Sequence, residues 1–257
     1  MTDKKNEKMS RRNFLASAGG VAVGAIVAGT GLSLSSSEAE AGGLPEYPWT
    51  NYFDKKLDVE KVREKGTKYY HEGNHCGEAT FRALTEELGH PFDKVPSQTM
   101  WFGAGGGAGW ATLCGTVNGS GAAFSLLYGR TGDTMKLTQE LFGWYSETPL
   151  PRKENSSQAK SVAGNPLCHA SVTNWCEASG KKSFSQERAD RCGRLAGDVA
   201  AKAAELLNAK LAGNFVPAYE IPEEAKECMN CHTKDSMLEN TRGKMNCTTC
   251  HDDPHDY

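Results

Sequence analysis

QERADRCGRLAGDVAAKAAELLNAKL, residues Gln186 to Leu211, places apolar side chains at Ala189, Cys192, Leu195, Ala196, Val199, Ala203, Leu206 and Leu207. Steps of three and four are the period of a helix that buries one face. Weaker versions of the pattern extend toward the N-terminus. Thr134 to Tyr145 reads as a helix. Cys114 to Tyr128 is rich in small residues, which suits a tightly packed, buried helix. A helix opens near Asn74, a residue type suited to an N-cap, and runs through Ala79, Phe81, Leu84 and Leu88 until Gly89 ends it. Leu57 to about Glu72 is amphipathic, with Val59, Val62 and Tyr69/Tyr70 as its apolar positions. Little alternates with period two, so the predicted fold class is all-α.

Three stretches interrupt the helices. Residues 42–53 are rich in Pro and Gly and read as an extended arm. Pro149 to Asn165 reads as a polar loop. Residues 103–109, Gly-Ala-Gly-Gly-Gly-Ala-Gly, cannot form an ordinary element. Pro217 and Pro222 mark a boundary. The expected domains are a helical domain over 42–216 and a small, irregular C-terminal segment over 217–257. The segment has few aliphatics and is too short to bury large groups alone. It must rest on the helices or on a second subunit.

That segment carries Cys228-Met-Asn-Cys231-His232 and Cys247-Thr-Thr-Cys250-His251. Each is a c-type haem attachment motif. Two thiols bond the haem vinyl groups and the next histidine ligates the iron. Two covalent haems are expected, with Cys228, Cys231, Cys247 and Cys250 as thioethers and His232 and His251 as proximal ligands. Each iron also needs a distal ligand. His255 follows His251 too closely to reach the far face of the same haem, but it could ligate the other haem or one in a second copy. His75 and His169 are the other candidates. His71 and His90 read as surface residues, and Met229, Met237 and Met245 as filler. Bis-histidine, low-potential haems are favoured over a vacant coordination site.

The N-terminus places these groups in a compartment. Ser10-Arg11-Arg12-Asn13-Phe14-Leu15 is a twin-arginine export motif, a Gly-broken apolar stretch follows, and Ala39-Glu40-Ala41 offers a cleavage site. Residues 1–41 therefore read as a signal peptide, the location as the periplasm, and stable membrane insertion after cleavage is not expected. Formal net charge is −3 with Lys and Arg scattered, which argues against a nucleic-acid surface. The twin-arginine route carries folded proteins, often with a cofactor already inserted. Haem c is attached only after export, so a second, earlier cofactor or a co-exported partner is expected.

The other cysteines are Cys76, Cys114, Cys168, Cys176 and Cys192. One reading is two disulfides and a free thiol. The other is an iron–sulfur site, although the spacings match no ferredoxin run. The export route and the Gly-rich loop strengthen the iron–sulfur reading beside the disulfide one, because glycines let backbone N–H groups crowd an anionic ligand. Close helix packing is the plainer role for that loop. The leading ligand set is Cys114, Cys168, Cys176 and Cys192, with Cys76 a further candidate.

Asn74-His75-Cys76-Gly-Glu-Ala, the Gly-rich loop with Leu113-Cys114-Gly115 and Gly119, then Cys168 and Cys192, resemble a redox-active family named for its spaced C, GCAxxG, C and C motifs. With twin-arginine export and two C-terminal CxxCH motifs, residues 45–257 resemble the split-Soret cytochromes c of sulfate-reducing bacteria. The resemblance implies a homodimer with two bis-histidinyl haems per subunit, nearly face to face, and an axial ligand donated across the dimer. It also implies an iron–sulfur centre, taken as [2Fe-2S]-type, on cysteines of the helical domain. The expected function is electron transfer between periplasmic donors and acceptors rather than catalysis. The rival reading is a haem or iron–sulfur reductase of a small inorganic nitrogen or sulfur compound, which an open coordination site would mark.

Overall fold

A computed structural model describes residues 44–152 and 159–251. The expected signal peptide, His255 and part of the 149–165 loop lie outside the described residues. Among the described residues seven α-helices follow one another: α1 (Val59–Tyr69), α2 (His75–Leu88), α3 (Gly115–Tyr128), α4 (Gly132–Glu147), α5 (Cys168–Ser179), α6 (Gln186–Leu211) and α7 (Glu223–His232). Among the described residues there is no strand, only isolated bridges pairing Leu113 with Leu167 and Leu150 with Ser161. The all-α expectation holds. No described helix is long and apolar enough to cross a membrane.

α6 matches its reading from Gln186 to Leu211. Ser185 caps it by accepting from the Arg188 N–H at 3.2 Å. Its stripe of Leu195, Ala196, Val199, Ala203 and Leu207 is buried, and α1, α2, α3 and α4 pack around it. α1 crosses closely enough that a Cβ on Gly66 would stand 3.0 Å from the Ala196 carbonyl. Beside the crossing, Arg63 pairs with buried Asp198, which also accepts from the Arg152 N–H at 2.6 Å. Buried Asn208 bonds both the N–H (2.8 Å) and the carbonyl (2.9 Å) of Leu57, fixing the chain before α1.

Between α1 and α2 the chain differs from its reading. The helix does not stop at Glu72 but widens into a π turn over Tyr70–Asn74, broken at Gly73 with φ 96°. Asn74 makes no side-chain cap, and His75 takes φ 54°. The arm over 44–53 is anchored, since Trp49 and Phe53 join the core.

The haem-motif segment rests on α4 of its own chain. Glu140 accepts from the Ala218 N–H at 2.5 Å and from the Tyr219 N–H. The Tyr219 ring lies directly on Gly143, and its hydroxyl donates to the Lys244 carbonyl at 3.3 Å. Asn165 reaches Thr249 of the second motif at 3.3 Å.

Candidate iron and haem sites

Three helix starts and one helix interior converge on four cysteines. Cys76 is the second residue of α2, Cys114 is the N-cap of α3, and Cys168 is the first residue of α5. Cys192 comes from the second turn of α6. The Leu113–Leu167 bridge joins two of these starts. Cys114 N–H donates to the Pro166 carbonyl at 2.9 Å, and Cys168 N–H to the Thr112 carbonyl at 2.7 Å. Helix N-termini carry unpaired N–H groups and a partial positive charge, so the place suits anions.

The Gly-rich loop closes over this place. Its chain takes positive φ at Gly105, Gly106, Gly107 and Gly109, and also at Ala108 and Ala111. The coil is tied internally, with Ala111 N–H on the Gly105 carbonyl at 2.9 Å and Thr112 N–H on the Gly106 carbonyl at 2.8 Å. Two glycines are required by space. A Cβ on Gly106 would stand 2.6 Å from the Cys168 Cβ, and one on Gly115 would stand 2.5 Å from the Cys76 sulfur. The Cys76 thiol donates to the Gly103 carbonyl at 3.4 Å, while the N–H groups of Gly105 and Gly77 face its sulfur.

Electrostatics tie the four thiols together. Burial pushes the Cys76 thiol up to about 12, and Cys114 and Cys192 add to the rise. Cys168 is also pushed up to about 12, by burial first and then by Cys114, Cys76 and Cys192. As bare thiols both stay protonated at neutral pH. All nine cysteines are free, and no disulfide forms among the described residues. No three His, Cys, Asp or Glu side chains there gather tightly enough for a single metal ion.

Cys176 stands apart. It lies eight residues after Cys168 on α5, about 12 Å along the axis at 1.5 Å per residue. It lines a surface hollow with Thr173, Lys181, Lys182 and Phe184. The structure therefore gathers Cys76 with Cys114, Cys168 and Cys192, and leaves Cys176 outside. The two neighbouring histidines are exposed. The His75 ring lies 6.1 Å from Tyr70 and 6.1 Å from exposed Trp101, and the His169 N–H holds the Ala111 carbonyl at 3.1 Å.

Residues without a motif complete the site. Arg191 is 1% exposed, bonds Ser171 Oγ at 2.9 Å, and reaches the Cys192 sulfur at 4.0 Å. Burial alone would lower its pKa, but Cys192, Tyr145 and Cys114 outweigh that and raise it. Tyr145 Oη is buried without a hydrogen-bond partner of good geometry, with Cys114, Arg191 and Ser171 around it. The only sequence signal for Arg191 was a charge four residues before Leu195, on the apolar stripe of α6.

In the haem-motif segment, α7 presents Cys228, Cys231 and His232 at i, i+3 and i+4, one face of a helix. The second motif is a single turn, with Cys250 and His251 N–H groups on the Cys247 carbonyl at 3.2 and 3.0 Å. Burial and the nearby Cys228 thiol raise the Cys247 pKa, so the two motifs lie side by side. His232 Nδ1 meets Asn240 Oδ1 at 2.8 Å, which fixes the ring. Between α4 and this segment lies a largely apolar cleft of about 230 Å³, bordered by Met135, Phe142, Tyr219, Pro222, Met245 and Asn246.

Known proteins are similar to this chain in sequence and fold. Residues 74–206 match the family described as "Putative redox-active protein (C_GCAxxG_C_C)". The split-Soret cytochrome c of Desulfovibrio desulfuricans is 33% identical over 269 residues, covering 95% of this chain and 94% of that protein. A solved structure of the split-Soret cytochrome c from the same species, described as containing a novel iron centre, superposes with a TM-score of 0.72. It is 31% identical and covers 78% of this chain and 90% of its own.

Proposed function

The chain belongs to the split-Soret cytochrome c family and to the C_GCAxxG_C_C redox family, and from that premise we propose that it is a periplasmic dihaem c-type electron carrier with an additional iron–sulfur centre. The observation that carries the second cofactor is the convergence of Cys76, Cys114, Cys168 and Cys192 under the Gly-rich loop. We take these four as its ligands, in place of the set that included Cys176.

The residues fit such a group. Four thiols close enough to influence one another suit a sulfur-ligated iron centre, and thiolates on iron are deprotonated outright. N–H groups from Gly77 and Gly105 face the ligand sulfur, and helix starts supply further positive potential. Bound haem and iron–sulfur supply one-electron redox chemistry. Cys228 and Cys231 hold one haem, and Cys247 and Cys250 the other. His232 and His251 are the proximal ligands, and Asn240 keeps the His232 ring in one orientation. The apolar cleft beside Met245 would offer a haem in this segment apolar cover from water. Distal ligation comes from among His75, His169 and His255, with a homodimer allowing donation across subunits. Electron donors and acceptors of the periplasm are the partners.

Non-haem iron and acid-labile sulfide, measured per haem on anaerobically purified protein, test this reading. About two of each per subunit is the expectation for a [2Fe-2S]-type centre. Cys76→Ser lowers both, while Cys176→Ser leaves both unchanged. The absence of iron and sulfide from wild type, with disulfides among the five cysteines, rejects the reading. His251→Ala keeps its haem attached but alters its spin state, and an unchanged optical spectrum removes His251 as ligand.

A further inference from the structure

Arg191 has no carboxylate to answer its charge among the described residues. Its acceptors there are Ser171 Oγ at 2.9 Å and the Cys192 sulfur at a long 4.0 Å, and its Nε is buried without a partner. A guanidinium carries five N–H donors and cannot shed its proton. Burying it beside neutral thiols leaves both the charge and most of the donors unanswered. Tyr145, from α4, repeats the pattern, because its hydroxyl is buried, lacks a well-placed partner, and lies beside Cys114 and Arg191. Two unpartnered donors from two helices thus stand at the same thiols. Tyr70 and Arg188 add further polar groups at Cys192.

We propose that Arg191 and Tyr145 are built to face an anionic sulfur-ligated centre, donating to its sulfurs and setting its reduction potential. The inference rests on the iron–sulfur reading above. Thiolate or inorganic sulfide would supply the counter-charge and the acceptors that the bare site lacks. Reduction adds negative charge, and a fixed cation with N–H···S donors stabilises the reduced form more than the oxidised one. The pair therefore raises the potential. The guanidinium also offsets part of the negative charge that such a centre buries.

The test is an anaerobic potentiometric titration of the non-haem centre, followed by electron paramagnetic resonance, on the full haem-loaded protein. Arg191→Met should keep iron but shift the reduced-to-oxidised ratio at fixed potential about tenfold toward oxidised, or about 59 mV for one electron. Arg191→Lys, which keeps the charge and loses the planar fork, should shift less. Tyr145→Phe should shift the same way by a smaller amount. It removes only a hydroxyl that the bare fold leaves unpaired, so it should fold. Iron-replete variants with the wild-type potential overturn the inference while leaving the iron–sulfur reading intact. Wild type without non-haem iron overturns the reading beneath it. Should Arg191→Met fail to accumulate, the potentials of Arg191→Lys and Tyr145→Phe decide.

Discussion

Gly115 follows the Cys114 thiol directly and leaves room for the Cys76 thiol. A methyl group there would stand 2.5 Å from the Cys76 sulfur, with backbone on its other sides. Gly115→Ala is therefore expected to lower non-haem iron to a fraction of wild type, with haem content unchanged. Iron determination against the pyridine haemochrome checks it, and full iron retention would show that the neighbouring backbone yields. At this scale the two haem-attachment motifs are legible, because C-x-x-C-H is local chemistry written in adjacent residues. The gathering of cysteines under the Gly-rich loop was legible in part. Cys76 ranked below Cys176 because linear spacing says nothing about which helix starts meet. Arg191 and Tyr145 were illegible as site residues, since only the fold brings α4, α5 and α6 to one place.

Helices with a full apolar stripe announced themselves, and α6 did so to the residue. α5 was missed because Cys168–Ser179 buries only Ser171 and Trp175, too few positions to set a period. α7 was missed for a similar reason, with Ala225 its only buried residue. The π turn over Tyr70–Asn74 has no sequence signature, yet it fixes where Cys76 stands. Two tests belong to these elements. Asn208→Ala leaves the Leu57 N–H and carbonyl buried and unpaired, at a cost of about 2–3 kcal/mol in a urea titration. Glu87 joins α1 to α2 through Lys61 at 3.0 Å and Lys65 at 3.2 Å. Burial would raise its pKa, but the hydrogen bonds and charges of the two lysines outweigh that and lower it. Its stabilisation is thus present above the unfolded value of about 4.3 and is lost as pH falls through the lower folded value. Glu87→Gln should flatten the acid limb of the stability profile by less than about 1 kcal/mol, and an unchanged limb would assign it to other carboxylates.

On the scale of the whole molecule, the haem-motif segment is held to the helices by few contacts, of which Glu140 and the Tyr219–Gly143 stack are central. Gly143→Val should displace the Tyr219 ring and speed protease cleavage between α6 and α7 severalfold, with both haems still attached. Equal cleavage rates would place the anchor elsewhere, for example at Asn165–Thr249. The two groups of cysteines differ in how they depend on the rest of the chain. The haem thiols are neighbours in sequence, and Cys231 and Cys250 stay exposed on the finished fold. The thiols of Cys76, Cys114, Cys168 and Cys192 come from four separated segments and do not exist as a group until α2, α3, α5 and α6 have assembled. On the proposed reading maturation has a direction: the inner thiols take up metal only as the chain closes around them, whereas the outer ones stay open to haem attachment afterwards. A chain misassembled inside would still turn red, so colour alone certifies only the last step of its making.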